Sequence, residues 1–246
     1  MKWRLAPLEE MDPYRSIALE EVLLKNTNET GKPILRFWKW NSKAVTIGRF
    51  QNVNNEVDIE LCRDKKIKII RRPSGGGTMF HSAGDEIVYS VIAKKELFPN
   101  DIIKRYEKVC GHITTALQNM GVDAKFEKPN SVSASGLKIS GSAQKVTRKS
   151  VLLHGTILYT PNKEEMFSVL NTSDPCDDRY IKSNITPVAG VKEIIDISFQ
   201  KFYDKIKEEF LKDKQYFTKY VTEEELEEAD KLAEEKYKKN SWNLTI

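Results

Sequence analysis

An α+β fold, a mixed β-sheet flanked by helices, follows from three observations. Apolar β-rich runs interleave with amphipathic helical stretches through the first two thirds of the chain. From Asn162 onward helical periodicity dominates, so the two kinds of element are partly segregated. The 246 residues can bury one substantial core and show neither an internal repeat nor a low-complexity linker. A single domain over 1–246 is therefore predicted, with a C-terminal helical segment at about 199–240 packed on it.

Taken in order, "MDPYRSIALEEVLLKN" predicts an N-terminal helix: Asp12 caps it, Pro13 suits the first helical position, and Ile17, Leu19, Val22 and Leu23 form an apolar stripe. "PILRFWKW" and "KAVTIGRF" read as strands on either side of the turn-like "NSK", a predicted hairpin. "EVDIELCRDKK" reads as a short helix, and "IKIIRR" as a buried strand leading into a glycine segment. "DEIVYSVIA" is a further strand, and "NDIIKRYEKVCGHITTALQNMG" a long amphipathic helix capped by Asn100 or Asp101 and stopped by Gly121. "DAKFE", "GLKISGSAQ" and "SVLLHGTILYT" are strand-like runs expected in the same sheet. Three helices follow, in "KEEMFSVLN", "DISFQKFYDKIKEEFLKD" and "TEEELEEADKLAEEKYKKN", and the last opens with Thr222 three residues before Glu225, a capping-box spacing. The acidic run Glu223 to Glu228 reads as a solvated helix face.

Forty Lys and Arg against 36 Asp and Glu give a net charge of +4, too balanced to indicate nucleic acid, so any anion site must be local. No run approaches the roughly 18 apolar residues of a membrane span, and the start lacks the apolar core of a signal peptide. A cytoplasmic protein without nucleic-acid or membrane partners is expected. Cys62, Cys110 and Cys176 are odd in number and widely spaced, which indicates neither a disulfide framework nor a zinc site. His81, His112 and His154 are too few for a His-rich metal centre.

The residues that can carry chemistry fall in three stretches. In "RRPSGGGTMFH" three consecutive glycines follow a strand, and their N–H groups can converge on a phosphate or carboxylate, with Arg71 and Arg72 adding charge-assisted hydrogen bonds. A tight hairpin turn accounts for the same glycines equally well. The stretch matches neither GxxxxGK[ST] nor GxGxxG, so neither the P-loop nor the dinucleotide fingerprint applies. In "GLKISGSAQ", Lys138 is a lone cation in a small, apolar strand, on the face of Ser140 and opposite Ile139, with Gly136, Gly141 and Ala143 leaving room for a ligand. On a pocket wall it meets an anion; on an edge strand it is an ordinary solvated lysine. In "LLHGTIL", His154 and Gly155 interrupt an apolar run, and a lone histidine there is more often a hydrogen-bonded structural residue than a proton carrier.

The order of these pieces, RR-x-SGGG-T-x-x-H, then a lysine in "KISGSAQ", then "HGTIL", resembles the lipoate–protein ligase A family. "DPYRSIALEEVLL", "PILRFWKW" and "VTIGRFQNVNNEVD" are similar to the family's opening helix, strand and following loop, so the resemblance runs from about Met11 to Leu158 and weakly to the C-terminus. It implies the core shared by biotin ligases and class II aminoacyl-tRNA synthetases. It also implies an ATP-dependent ligase that uses Mg2+, converts lipoate to lipoyl-AMP and passes the lipoyl group to a lysine of a small carrier domain. A 2-oxoacid dehydrogenase E2 component or the glycine cleavage H protein would supply such a carrier. On this resemblance Lys138 is the catalytic residue, bridging the lipoyl carbonyl and the α-phosphate, where a fixed ammonium stabilises developing charge. Arg72, Ser74, Gly75, Gly76, Gly77, Thr78, Met79, Phe80, His81, Ser140, Gly141, Ala143, His154 and Gly155 would join it in holding ATP or lipoyl-AMP, the two histidines as pocket or orienting residues.

Octanoyltransferases of the same superfamily form an acyl-enzyme on a cysteine shortly before the lysine motif. "DAKFEKPNSVSASG" contains none, although "GSAQ" also resembles the transferase type, and the three cysteines read as structural. Many ligases carry Asp after the histidine and Asn or Asp a few residues on; Ser82 and Glu86 break that pattern, so the metal ligands stay unassigned. "NSWNLTI" matches the Trp–Asn pair that closes the large domain of longer ligases, which predicts that the accessory domain is absent and that a separate small subunit replaces it. The non-enzymatic alternative is a lipoyl-binding module, and Arg72, the glycine loop and Lys138 together argue against it, since a binder needs no cation at the scissile centre.

Overall fold

A computed structural model describes residues 1–171, 183 and 186–244. Along the chain run β1 (Trp3–Met11), α1 (Pro13–Thr30), β2 (Ile34–Trp40), β3 (Ala44–Ile47), α2 (Val53–Glu56), α3 (Ile59–Asp64), β4 (Lys68–Arg71), β5 (Met79–His81) and β6 (Glu86–Lys94). Then come α4 (Ile102–Asn119), β7 (Ala124–Glu127), β8 (Ser131–Ala134), β9 (Leu137–Val146), β10 (Ser150–Leu158) and α5 (Lys163–Val169). The last elements are α6 (Val191–Ile194), α7 (Phe199–Leu211), β11 (Tyr216–Thr218), α8 (Glu223–Leu232) and α9 (Asn240–Asn243).

Eight strands form a mixed sheet in the order β11-β1-β2-β6-β10-β9-β8-β7. Period-two alternation gives it two apolar faces. Leu35 and Phe37 of β2 join Ile87, Tyr89 and Val91 of β6 under the stripes of α4 and α7. Ile34 and Trp38 point the other way, with Val88 and Ile92, into a core closed by α1 and α8. The caps agree with the sequence: Asp12 Oδ1 accepts from the N–H of Tyr14 and Arg15, Asp101 from that of Lys104, and Thr222 and Glu225 form a capping box. Among the described residues no helix is long and apolar enough to cross a membrane.

The expected hairpin of "PILRFWKW" and "KAVTIGRF" does not form. β2 already has β1 on one edge, in parallel, and β6 on the other, antiparallel, so β3 has no edge to join. It leaves instead to centre a three-stranded sheet, β4-β3-β5, which packs Val45, Ile47 and Phe80 against Met166 and Val169 of α5. β1 is invisible to alternation because Pro7 and two glutamates interrupt it at a register shift between Ala6 and Glu9. β11 is only three exposed residues long. The cavity described next lies between the two sheets.

Candidate active site

The glycine stretch connects β4 to β5, and β3 lies between those strands. The segment therefore crosses the end of β3 and is not a tight hairpin. Gly76 needs its freedom, with φ +87° and Ala143 Cβ only 3.3 Å from where a Cβ would sit. Arg72 holds the loop from inside: Nη2 donates to the carbonyls of Gly75 (3.1 Å) and Gly77 (2.8 Å), and Nη1 to Thr46 O and Oγ1, both 2.9 Å. With the carbonyls of Gly75 and Gly77 turned to Arg72, the amides of Gly75, Gly76 and Gly77 have no hydrogen-bond partner among the described residues. Thr78 closes the loop, its N–H donating to Ser183 Oγ (2.7 Å) and its hydroxyl 3.0 Å from Gln51 Oε1 and Glu56 Oε2.

Lys138 faces this loop from β9. Ile139 enters the core while Lys138 and Ser140 line a cavity wall, as alternation requires. A cavity of about 550 Å³ is lined by the apolar Ile17, Trp38, Trp40 and Val88, by the polar Glu127, Lys128 and Asn130, and by Arg72, Gly76, Gly77, Lys138, His154 and Gly155. A smaller chamber of about 60 Å³ adjoins it between Phe80, Leu158, Met166, Leu170 and Val188. Lys138, Thr78, Met79 and Gly141 border both, so the ammonium stands at the junction. Burial pulls its pKa below the ordinary 10.5, and no carboxylate among the described residues pairs with it. Gly155 keeps the wall thin, because a Cβ there would lie 2.6 Å from Gly141 O and 2.7 Å from the Tyr89 hydroxyl.

Two hydroxyl–imidazole–carboxylate chains brace the loop. Because Arg72 donates to Thr46 Oγ1, the Thr46 proton faces His81 Nε2 (2.9 Å), and His81 Nδ1–H faces Glu86 Oε1 (2.5 Å). Ser74 Oγ meets His154 Nε2 at 2.7 Å, and His154 Nδ1 meets the two Glu20 oxygens at 2.9 and 2.8 Å. The second chain has the connectivity of a nucleophile, base and acid, but Ser74 is 0% exposed and absent from the cavity wall. The second chain therefore orients its imidazole and anchors the loop, while Thr46 of the first borders the cavity beside Arg72.

Of the other sequence-derived candidates, Phe80 lines the small chamber, and Ala143 the larger cavity together with Met79 and His81. Arg71, expected beside the anion, turns away from it: its side chain is buried against carbonyls of Gly48, Gln51, Trp242 and Asn243. The backbone explains this, since successive strand residues point to opposite faces and Arg72 has the inward one. Cys62 and Cys110 are buried, and burial pushes both thiols up to about 11. Cys176 lies outside the described residues. Sequence reasoning missed Trp38 and Trp40, whose shared face two residues apart was the available signal, and Glu20, Glu56 and Ser183, which carried none. Trp38 is backed by the buried Arg36 guanidinium, 4.1 Å from its ring.

The family model described as "Lipoyl protein ligase A/B catalytic domain" matches residues 12–211. A probable lipoate-protein ligase A of Mycoplasma pneumoniae is 30% identical over 238 residues, 94% of this chain and 68% of that protein. An octanoyltransferase LipM of Lysinibacillus sphaericus is 26% identical over 273 aligned positions, 98% of each chain. Among solved structures, a bi-partite lipoate protein ligase from Thermoplasma acidophilum, described with its E2 lipoyl domain, superposes with a TM-score of 0.85 at 25% identity, covering 99% of this chain and 96% of that one.

Proposed function

The chain belongs to the lipoyl protein ligase A/B catalytic-domain family, and on that premise we propose that it is a lipoate–protein ligase that makes lipoyl-AMP from lipoate and ATP and transfers the lipoyl group to a carrier lysine. The observation that carries this is the Lys138 ammonium, half-buried and without a counter-ion among the described residues, in one cavity with an indole-lined slot and with Gly76 and Gly77, whose amides have no partner among the described residues. The lipoyl tail and its dithiolane ring suit the slot of Ile17, Trp38, Trp40 and Val88. Phosphate suits the amides of Gly76 and Gly77, and the base of the nucleotide suits the apolar chamber beside Phe80 and Met166.

In this reading a lipoate carboxylate oxygen attacks the α-phosphorus and pyrophosphate leaves. The deprotonated carrier amine then attacks the acyl carbon and AMP leaves with the bonding pair. Negative charge gathers near Lys138 in both steps, so one preorganised cation serves both. Mg2+ would arrive on the ATP phosphates and neutralise them. His81 and His154 orient the walls through their carboxylates and move no proton in the reaction.

A transferase that takes an octanoyl or lipoyl group from a carrier, the chemistry named for the LipM relative, would run through a cysteine thiolate. Of the cysteines among the described residues, Cys62 and Cys110, burial holds both thiols protonated, which favours the ligase. The likeness to a ligase described as bi-partite supports a small second subunit, and its E2 lipoyl domain supports a carrier of that kind. The test is the intact mass of a lipoyl-carrier domain after incubation with this protein, lipoate, ATP and Mg2+, with and without a small subunit. A lipoyl mass increase that requires ATP is expected. Modification from an octanoylated carrier without ATP would replace the ligase with the transferase.

A further inference from the structure

Arg71 and Arg72 are adjacent, yet only Arg72 reaches the cavity. The Arg71 guanidinium is 0% exposed and faces no carboxylate among the described residues; burial lowers its pKa to about 10. Its donors go to main-chain oxygens from two distant segments. Nη1 donates to Gly48 O (3.0 Å) and Gln51 O (2.7 Å), Nε to Trp242 O (3.1 Å), and Nη2 to Asn243 O (3.2 Å). The backbone joins in: Arg71 N–H donates to Asn243 Oδ1 (2.9 Å), and the Trp242 indole N–H donates to Arg71 O (2.9 Å). A buried cation held only by neutral carbonyls is a poor way to gain stability, since an apolar side chain of similar volume would avoid its desolvation. What it does supply is fixed geometry.

That geometry continues into the glycine loop. A Cβ on Gly48 would lie 2.0 Å from Gly76 O, so the two backbones touch. Gln51 Oε1 accepts from Gly48 N–H (2.8 Å) and lies 3.0 Å from the Thr78 hydroxyl. Arg49, whose guanidinium sits 4.5 Å from the Trp242 ring, donates its N–H to Ser74 O at 2.8 Å. Asn243 is itself anchored by Nδ2–H to Tyr237 O (2.7 Å). We propose that Trp242 and Asn243 are positioning residues of the site: through Arg71 they set where the glycine loop begins and ends, and hence where its amides point. The purpose assigned to that loop rests on the ligase reading above; the mechanical link does not. Anything that binds or displaces the α9 hook would retune the loop without touching a ligand.

The test uses the full chain with Trp242→Phe, which keeps the ring and loses the indole N–H, and Asn243→Ala. Amide hydrogen exchange is measured at Arg49, Arg72 and Thr78, all hydrogen-bonded in and around the loop, with α1 and β6 as controls. Faster exchange by about tenfold at those three amides is expected, the size that losing one or two buried hydrogen bonds gives, with α1 and β6 unchanged. The KM for ATP should rise by a similar factor while that for lipoate stays within about twofold, because the indole slot is built from other elements. Unchanged loop exchange, or acceleration spread over α1 and β6 in step with a lowered melting temperature, would overturn the hook. If the wild type uses no ATP, the ligase reading falls and the exchange result still decides the hook.

Discussion

The chains Thr46–His81–Glu86 and Ser74–His154–Glu20 have the same chemistry and opposite construction. In the first, imidazole and carboxylate are five positions apart, on β5 and the start of β6. In the second they are 134 positions apart, on β10 and α1, and the hydroxyl comes from the glycine loop. The short chain braces the small sheet near its own turn. The long one fastens the loop to the large sheet and to the helix beneath it. Thr46 borders the cavity and Ser74 does not, and both chains brace the walls around the Lys138 ammonium.

Removing that ammonium is the sharpest way to separate framing from chemistry. Lys138→Ala leaves both chains intact, and carrier lipoylation is expected to fall at least about 10²- to 10³-fold, the loss typical of one electrostatic donor, with no fall in melting temperature. A variant that still lipoylates at near wild-type rate would move the chemistry into the histidine chains. Next in size is Glu20→Gln, which trades the carboxylate behind His154 for an amide. A disturbed buried network costs about 1–3 kcal/mol, read from urea unfolding, and lipoate binding should weaken with it. If Glu86→Gln costs as much, the long chain has no special place.

A smaller effect is expected in the pH dependence of the short chain. Burial raises the Glu86 carboxyl above its ordinary 4.5, with the facing His81 opposing the shift. A carboxyl that binds its proton more tightly when folded contributes stability that is complete below about pH 4.5 and is lost as the pH climbs through the folded value. Glu86→Gln should therefore flatten the decline in melting temperature above pH 4.5, and a slope identical to that of the wild type would remove Glu86 from the account. Smallest of all is Lys25→Ala, on an exposed ion pair with Glu228 outside both chains, where melting temperature and product yield should not change.

The same contrast explains what the sequence made legible. Asp12, Asp101 and Thr222 act within three residues of themselves, so their caps could be read directly. Lys138 opposite Ile139 needed only strand alternation, and the glycine run with its arginines was a conspicuous local pattern. Whether those glycines turned a hairpin or framed a ligand depended on β3 lying between β4 and β5, which no local pattern encodes. Glu20 looked like one more polar residue on α1, and only the fold brings it under His154. The direction of Arg71 depended on a C-terminal segment some 170 positions away.

Trp38 and Trp40, their rings 6.1 Å apart in the slot wall, also equip the protein with an optical probe. Two of its four tryptophans line the slot proposed for the dithiolane, and a strained disulfide against an indole quenches emission. Intrinsic fluorescence should therefore report occupancy of the slot without a label, and it should do so in Lys138→Ala as readily as in the wild type. A titration of that kind would tell a protein that cannot hold its acid from one that holds it and cannot activate it.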